Sequence, residues 1–156
     1  QGITVDWYLN KSNPAETYLN HGEASVAYFF VGDISAENAV ISSIFGSEFD
    51  PSGGTIIKWG TAKGSVCISS AGSSVNGFIV IFDAVEYQNA NNFIVSGIES
   101  QINDSNPYWE RDVYHLHFKD SDFGDWQEVC QVPEPSVLGL ISLSCVFLSL
   151  KRKVKQ

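Results

Sequence analysis

Gly77-Phe78-Ile79-Val80-Ile81-Phe82-Asp83-Ala84 is the most apolar strand-like segment of residues 1–130. Its apolar side chains follow one another directly, without the alternation of polar and apolar residues that marks a strand with one face in water. An unbroken run of this length, with a glycine at its start, indicates a strand that is covered on both faces. We therefore predict that this segment lies at the centre of a β-sheet.

Shorter segments on either side are also rich in β-branched and aromatic residues, and clusters of small and polar residues separate them. We predict strands at residues 3–9, 24–31, 55–59, 65–69, 93–96, 113–118 and 126–129, with small-residue turns at 71–77 and 89–92. The segment 113–118 alternates, because neighbouring side chains of a strand point to opposite faces. We expect two sets on opposite faces, which are Tyr114, Leu116 and Phe118, and Val113, His115 and His117.

The hydrophobic period changes after residue 34. Four apolar residues then fall on one helical face: Val40, Ile41, Ile44 and Phe45. Ser35 is a plausible N-cap and Gly46 can end the helix. We predict one helix at 35–45 in a mainly β fold, an antiparallel β-sandwich-like domain followed by a C-terminal hydrophobic helix.

Charge is distributed unevenly along the chain. The sequence contains nine Lys and Arg against 18 Asp and Glu, and four of the nine cations lie in residues 151–156. Residues 1–150 therefore carry five cations against 18 acids, a net charge of −13. A body this acidic is repelled by nucleic-acid phosphates and by anionic lipid headgroups. Nucleic-acid binding is therefore the function that the sequence excludes most firmly.

Residues 131–156 differ in composition from the rest of the chain. Pro133 and Pro135 flank Glu134, and each proline fixes φ and lacks an N–H, so a helix can begin only after them, with Ser136 as its N-cap. An uncharged run extends to residue 150, and its apolar residues are Val137, Leu138, Leu140, Ile141, Leu143, Val146, Phe147, Leu148 and Leu150. A basic tail then closes the chain, with cations at Lys151, Arg152, Lys153 and Lys155.

The predicted helix 137–150 is short for a membrane span. It reaches only about 21 Å, against a hydrocarbon core of about 30 Å. However, it is apolar on all sides, and the terminal cations favour a cytoplasmic leaflet and can extend their stems to the interface. We interpret it as a membrane anchor, and the alternative is a C-terminal helix packed on its own domain.

This arrangement resembles the PEP-CTERM sorting signal of exopolysaccharide-producing Gram-negative bacteria. The matching residues are the motif Val132, Pro133, Glu134 and Pro135, the helix 137–150 and the tail Lys151-Arg152-Lys153. The resemblance divides the chain into a β-rich exported domain, residues 1–130, and a sorting signal, residues 131–156.

The resemblance implies a route for the protein. The helix holds the exported protein in the inner membrane, and a membrane-embedded exosortase recognises and cleaves the signal. The released part reaches the cell surface or the extracellular matrix. Pro133, Glu134 and Pro135 are then a substrate site for another enzyme and not catalytic residues of this chain.

The amino-terminal end is consistent with export. The chain begins with Gln1 and contains no methionine. We therefore expect that an amino-terminal segment has been removed, and a secretory signal peptide is the simplest candidate.

The chain contains three cysteines, Cys67, Cys130 and Cys145. In an oxidising compartment Cys67 and Cys130 could form a disulfide that ties the end of the domain to its middle. No Cys-x-x-Cys spacing is present, which argues against a zinc ribbon or a redox site.

Two segments contain residue types that can bind metals, but we expect neither a metal nor a cofactor. His115 and His117 share a strand face as two zinc ligands can, but the third histidine, His21, is distant in sequence. Residues 120–125 place Asp at alternating positions beside a glycine, as a calcium loop can, but without the downstream Glu of an EF-hand. A half-exposed sheet face and a solvated acidic turn are the simpler interpretations.

Nothing in the sequence predicts catalysis, because no nucleophile, metalloprotease, phosphate-loop or dinucleotide motif is present. Tryptophans could instead stack on sugar rings if they were exposed, although aromatic residues more often belong to a core; these are Trp7, Trp59, Trp109 and Trp126. Tyr108 and Trp109 are the first choice for a ligand surface. We predict a non-enzymatic surface or matrix protein, with a carbohydrate-binding or adhesive module for exopolysaccharide as the alternative and an unrecognised hydrolase as a weaker one.

Overall fold

The structure, a computed structural model, describes residues 3–10, 25–58, 60–69, 74–102 and 113–129. These residues form nine strands and one α-helix, with two short 3-10 turns. The strands are β1 Ile3–Asn10, β2 Val26–Val31, β3 Thr55–Ile56, β4 Ala62–Ile68, β5 Ser74–Phe82, β6 Asn92–Val95, β7 Glu99–Ile102, β8 Val113–Lys119 and β9 Gln127–Glu128. The helix is α1 Ile34–Phe45, and the 3-10 turns are Tyr87–Asn89 and Asp120–Asp122. The mainly β prediction is confirmed.

The strands form two sheets. Sheet A has the order β4-β1-β8, and sheet B has the order β3-β2-β5-β6-β9, with β7 also paired to β5. All the strand pairs of the described residues are antiparallel except β1 with β8, which is parallel. The predicted antiparallel arrangement is therefore wrong at this pair. Because β1 and β8 are far apart in sequence, no hairpin forces them to be antiparallel.

Strand β5 lies inside sheet B and is buried on both faces, as the unbroken apolar run predicts. Phe78, Val80 and Phe82 belong to the core cluster on the helix side of the sheet. Ile79 and Ile81 belong to the cluster shared with sheet A. The strand begins at Ser74, so the predicted turn at 71–77 is wrong over its last four residues. Small polar residues are typical of turns, but here their backbone pairs with β7.

The two sheets share one hydrophobic core. Sheet A contributes the inward residues of its strands, among them Val5, Trp7, Leu9, Leu116 and Phe118. Two glycines make room for aromatic rings in this layer. A Cβ on Gly64 would lie 2.7 Å from the Trp7 ring, and one on Gly77 would lie 2.6 Å from the Phe29 ring. Close packing of the sheets therefore depends on glycine at both positions.

Helix α1 covers the other face of sheet B, together with the loops around it. Its N-cap is Asp33, whose Oδ1 accepts hydrogen bonds from the N–H groups of Ser35 at 2.9 Å and Ala36 at 3.3 Å. The predicted N-cap, Ser35, is therefore wrong by two residues. The predicted end at Gly46 is confirmed, since its N–H donates to the Ser42 carbonyl at 2.9 Å.

The remaining differences concern short strands. Strand β7, residues 99–102, was not predicted, because Glu-Ser-Gln-Ile has no β-rich pattern. Strand β3 ends at Ile56, earlier than predicted, and β4 begins at Ala62, three residues earlier than predicted.

None of the described residues forms an apolar helix of the length that a membrane crossing requires. The predicted sorting motif, hydrophobic helix and basic tail all lie within residues 130–156, outside the described residues.

Candidate functional site

The side of sheet A that points away from the shared core carries a polar and aromatic surface, which we call the outer face. Alternate residues of each strand reach it, because side chains alternate along a strand. The burial of the three strands alternates accordingly. The outer face consists of Thr4, Asp6 and Tyr8 from β1, Lys63, Ser65 and Cys67 from β4, and Val113, His115, His117 and Lys119 from β8.

The strand register aligns these residues in rows across the sheet. Asp6 is paired with Ser65 on one side and with His115 on the other. Tyr8 is paired in the same way with Lys63 and His117. Side chains in register lie close enough to interact directly.

The first row contains a serine, an aspartate and a histidine, but not in a catalytic order. The Ser65 hydroxyl donates a hydrogen bond to Asp6 Oδ1, and His115 Nδ1 lies 3.8 Å from Asp6 Oδ2. Asp6 therefore stands between the other two residues. In a nucleophilic triad the histidine stands in the middle and takes the serine proton. This row provides hydrogen-bonding groups and not an activated nucleophile.

The second row contains stacked rings. The rings of Tyr8 and His117 lie 4.8 Å apart with only 12° between their planes, and His115 lies 6.0 Å from Tyr8. Two imidazoles of β8 therefore lie within ring-contact distance of one phenol ring. Tyr8 is not among the site residues predicted from the sequence, although the alternation of Val5, Trp7 and Leu9 could have placed it on the opposite face from the core.

Strand β7 links sheet B to the outer face. The backbone N–H of His115 donates a hydrogen bond to Gln101 Oε1 on β7. This bond satisfies a backbone donor of β8 and fixes the strand beside the edge of sheet B.

His115 and His117 therefore lie on one face of the sheet, as predicted. Their neighbours are the ring of Tyr8 and the carboxylate of Asp6. Among the described residues, no group of three or more His, Cys, Asp or Glu side chains could hold a metal ion. His21, the remaining histidine, lies outside the described residues.

The acidic segment 120–125 forms a turn that its own aspartate closes. Asp122 Oδ2 accepts a hydrogen bond from the Lys119 N–H at 2.6 Å, and the Asp122 carbonyl accepts one from Gly97. Glu99 on β7 lies near this turn, and its pKa is raised by burial and by the Asp122 carboxylate, against a lowering by Lys119. The Asp122 carboxylate is therefore hydrogen-bonded to the backbone N–H of Lys119 at the start of the turn.

The tryptophans occupy different environments. Trp7 is 3 % exposed within the shared core, where its ring stacks on Phe29 at 5.8 Å, so it cannot act as a sugar platform. Trp126 is half-buried against the same core. Trp59, Tyr108 and Trp109 lie outside the described residues, so the ligand surface at Tyr108 and Trp109 stays a prediction.

The other predicted residues are placed only in part. Cys67 is exposed on the outer face, whereas Cys130 lies outside the described residues, so their disulfide stays a prediction. The motif Val132 to Pro135 also lies beyond Val129, the last described residue. No protein-family model, curated protein or solved structure matches this chain.

Proposed function

We propose that the chain is an exported cell-surface or extracellular-matrix protein, sorted and cleaved by an exosortase and without catalytic activity of its own. One observation carries this proposal: the motif 132–135, the apolar run 137–150 and the basic tail occur together and in this order. The inner membrane is a transient anchor. Pro133, Glu134 and Pro135 are the residues that the exosortase recognises.

We further propose that residues 1–130 fold as a β-sandwich that is antiparallel apart from the β1–β8 pair. The core shared by sheets A and B supports this arrangement, because two sheets packed face to face interdigitate their inner side chains. An acidic body of this kind suits solubility outside the cell.

The sorting proposal is tested with the complete precursor in a host that contains the exosortase. Pro133, Glu134 and Pro135 are replaced together by alanine, and cells are separated into membrane fraction and medium. We expect the wild type to be released and the triple variant to stay in the membrane fraction. The variant Glu128→Ala, which removes one exposed acid just before the signal, is the control and should be released. Equal release of the triple variant would rule out recognition through the motif.

A second candidate function is carbohydrate binding, and the outer face favours it. The half-buried Tyr8 ring stacks on the exposed His117 ring, beside hydrogen-bonding groups of Asp6, Ser65 and Lys63. A ring surface next to polar groups is suited to sugars, which present both C–H faces and hydroxyl groups. Exopolysaccharide is then the partner of the released domain.

Binding of purified exopolysaccharide tests this second function. Tyr8→Ala should weaken binding if the outer face is the site, whereas Trp109→Ala should weaken it if the surface around Tyr108 and Trp109 is the site. Ser42→Ala on the exposed side of α1 is the control. Binding that neither variant reduces would exclude both surfaces, and turnover of the polysaccharide would identify an enzyme instead.

A further inference from the structure

A pocket of about 290 Å³ lies on the helix side of sheet B, away from the outer face of sheet A. It is placed where α1 ends, where β5 ends, and beside the 3-10 turn Tyr87–Asn89. Its walls include Ile44, Ser47, Phe49, Phe82, Tyr87 and Val129. An apolar cavity of roughly 150 Å³ is known to accept a benzene-sized molecule, so this pocket has room for a small organic ligand.

Three aromatic residues contribute to the wall of this pocket, namely Phe49, Phe82 and Tyr87. The Phe49 ring lies 5.3 Å from both the Phe82 ring and the Tyr87 ring. Phe49 and Tyr87 are almost perpendicular, at 89°, so the two rings face different directions. Tyr28 packs against all three rings at 5.8 to 6.0 Å and supports them from the core. The faces of such rings carry partial negative charge.

The pocket wall is uncharged, and one acid lies on the turn beside it. None of the residues that line the pocket carries a positive charge. The exposed acid Glu86 is the N-cap of the 3-10 turn that lines the pocket, and its Oε2 accepts a hydrogen bond from Asn89 Nδ2 of the same turn at 3.2 Å. A wall with aromatic rings and this acid on the adjoining turn favours a cation that can be desolvated over a neutral or anionic ligand.

We propose that this pocket binds the quaternary ammonium group of a small organic cation of the choline type. A quaternary ammonium has no N–H to hydrogen-bond with water, so its methyl groups enter an apolar pocket more easily than a primary ammonium does. Its charge is attracted to aromatic rings such as those of Phe49 and Tyr87, which line the pocket and are only half-buried. This site is independent of the sorting proposal, because it uses only residues of the β-rich domain.

Three probes of similar size separate charge from shape. Choline is compared with 3,3-dimethylbutan-1-ol, its neutral isostere, and with ethanolamine, which lacks the methyl groups. Binding to the full chain is measured by titration calorimetry in a maltoside detergent without choline headgroups. We expect choline to bind roughly tenfold more tightly than either comparison probe. Equal or tighter binding of the neutral alcohol, or no binding of choline, would overturn the proposal.

Variants then locate the site. Tyr87→Leu keeps an apolar side chain but removes a ring face, and we expect choline binding to weaken several-fold while the melting curve still shows a folded protein. Glu86→Gln should weaken choline binding without changing the affinity of the neutral alcohol. Asn38→Ala, at an exposed position of α1 that does not line the pocket, is the control and should bind choline as the wild type does. Loss of binding in the control alone would place the site elsewhere and contradict the assignment.

Discussion

Sheets A and B differ in how many of their faces are covered. Sheet A buries one face against sheet B and leaves the outer face to solvent. Sheet B buries one face against sheet A and the other against α1 and its loops. Sheet B is therefore the structural centre of the described residues, whereas the outer face of sheet A is accessible to a ligand.

The largest effect is expected within β5, where two adjacent residues are buried on opposite faces. Phe78 is stacked on Phe30 at 5.3 Å on the helix side, and Ile79 lies in the shared core. We expect Phe78→Ala to lower the free energy of unfolding by about 3–5 kcal/mol and Ile79→Ala by about 2–5 kcal/mol. Chemical denaturation measures both. A small loss in either variant would mean that one face of sheet B is open.

The same experiment in β8 should give unequal results. Phe118 is 0 % exposed in the shared core, whereas its neighbour His117 is exposed on the outer face. We expect Phe118→Ala to cost about 3–5 kcal/mol and His117→Ala about 0.5 kcal/mol or less. Equal losses would contradict the one-sided burial of sheet A.

These two strands also show what the sequence could predict. The unbroken apolar run of β5 and the alternation of β8 both report burial directly, because side chains alternate along a strand. The parallel pairing of β1 with β8 could not be predicted, since local patterns carry no information on which distant strand is the partner. The stack of Tyr8 with His117 depends on that pairing and was missed for the same reason.

The predictions of two smaller elements, the start of α1 and strand β7, failed for local reasons. Asp33 and Ser35 are both good N-cap residue types, and only the extended backbone of Asp33 (φ −94°, ψ −169°) decides between them. Strand β7 is polar and is held by pairing with β5, so its own residues give no strand signal.

A smaller loss of stability is expected when the N-cap of α1, the helix that covers sheet B, is removed. We expect Asp33→Ala to reduce stability by about 1 kcal/mol, because two N–H groups at the start of α1 lose their acceptor. Ser35→Ala, the cap predicted from sequence, should cost much less. The reverse order in thermal denaturation would mean that the helix begins differently and that its cover of sheet B is misplaced.

The smallest expected effect is a pH-dependent change in stability at Glu99, where β7 lies beside β8. Burial and the Asp122 carboxylate raise the pKa of Glu99, partly offset by Lys119. A carboxyl with a raised pKa in the folded state contributes stability that is fully present below its unfolded pKa and is lost as pH rises through the folded pKa. We therefore expect Glu99→Gln to raise Tm at neutral pH, and the gain should fade as pH falls below the ordinary value of 4.5.

The control for this test is Glu48→Gln, which makes the same change of charge at an exposed loop position. It should show little change in Tm at either pH. A gain for Glu99→Gln that persisted at acid pH would mean that the charge of Glu99 is not the cause.

The central claim, that the β-rich domain is delivered by a sorting signal, is tested most directly by intact mass. The complete precursor is expressed with and without the exosortase, and the mass of the product is measured in the membrane fraction and in the medium. We predict a released form that lacks helix 137–150 and the tail Lys151-Arg152-Lys153, and that is seen only with the enzyme. An uncleaved protein in both hosts, recovered from the soluble fraction, would contradict the claim.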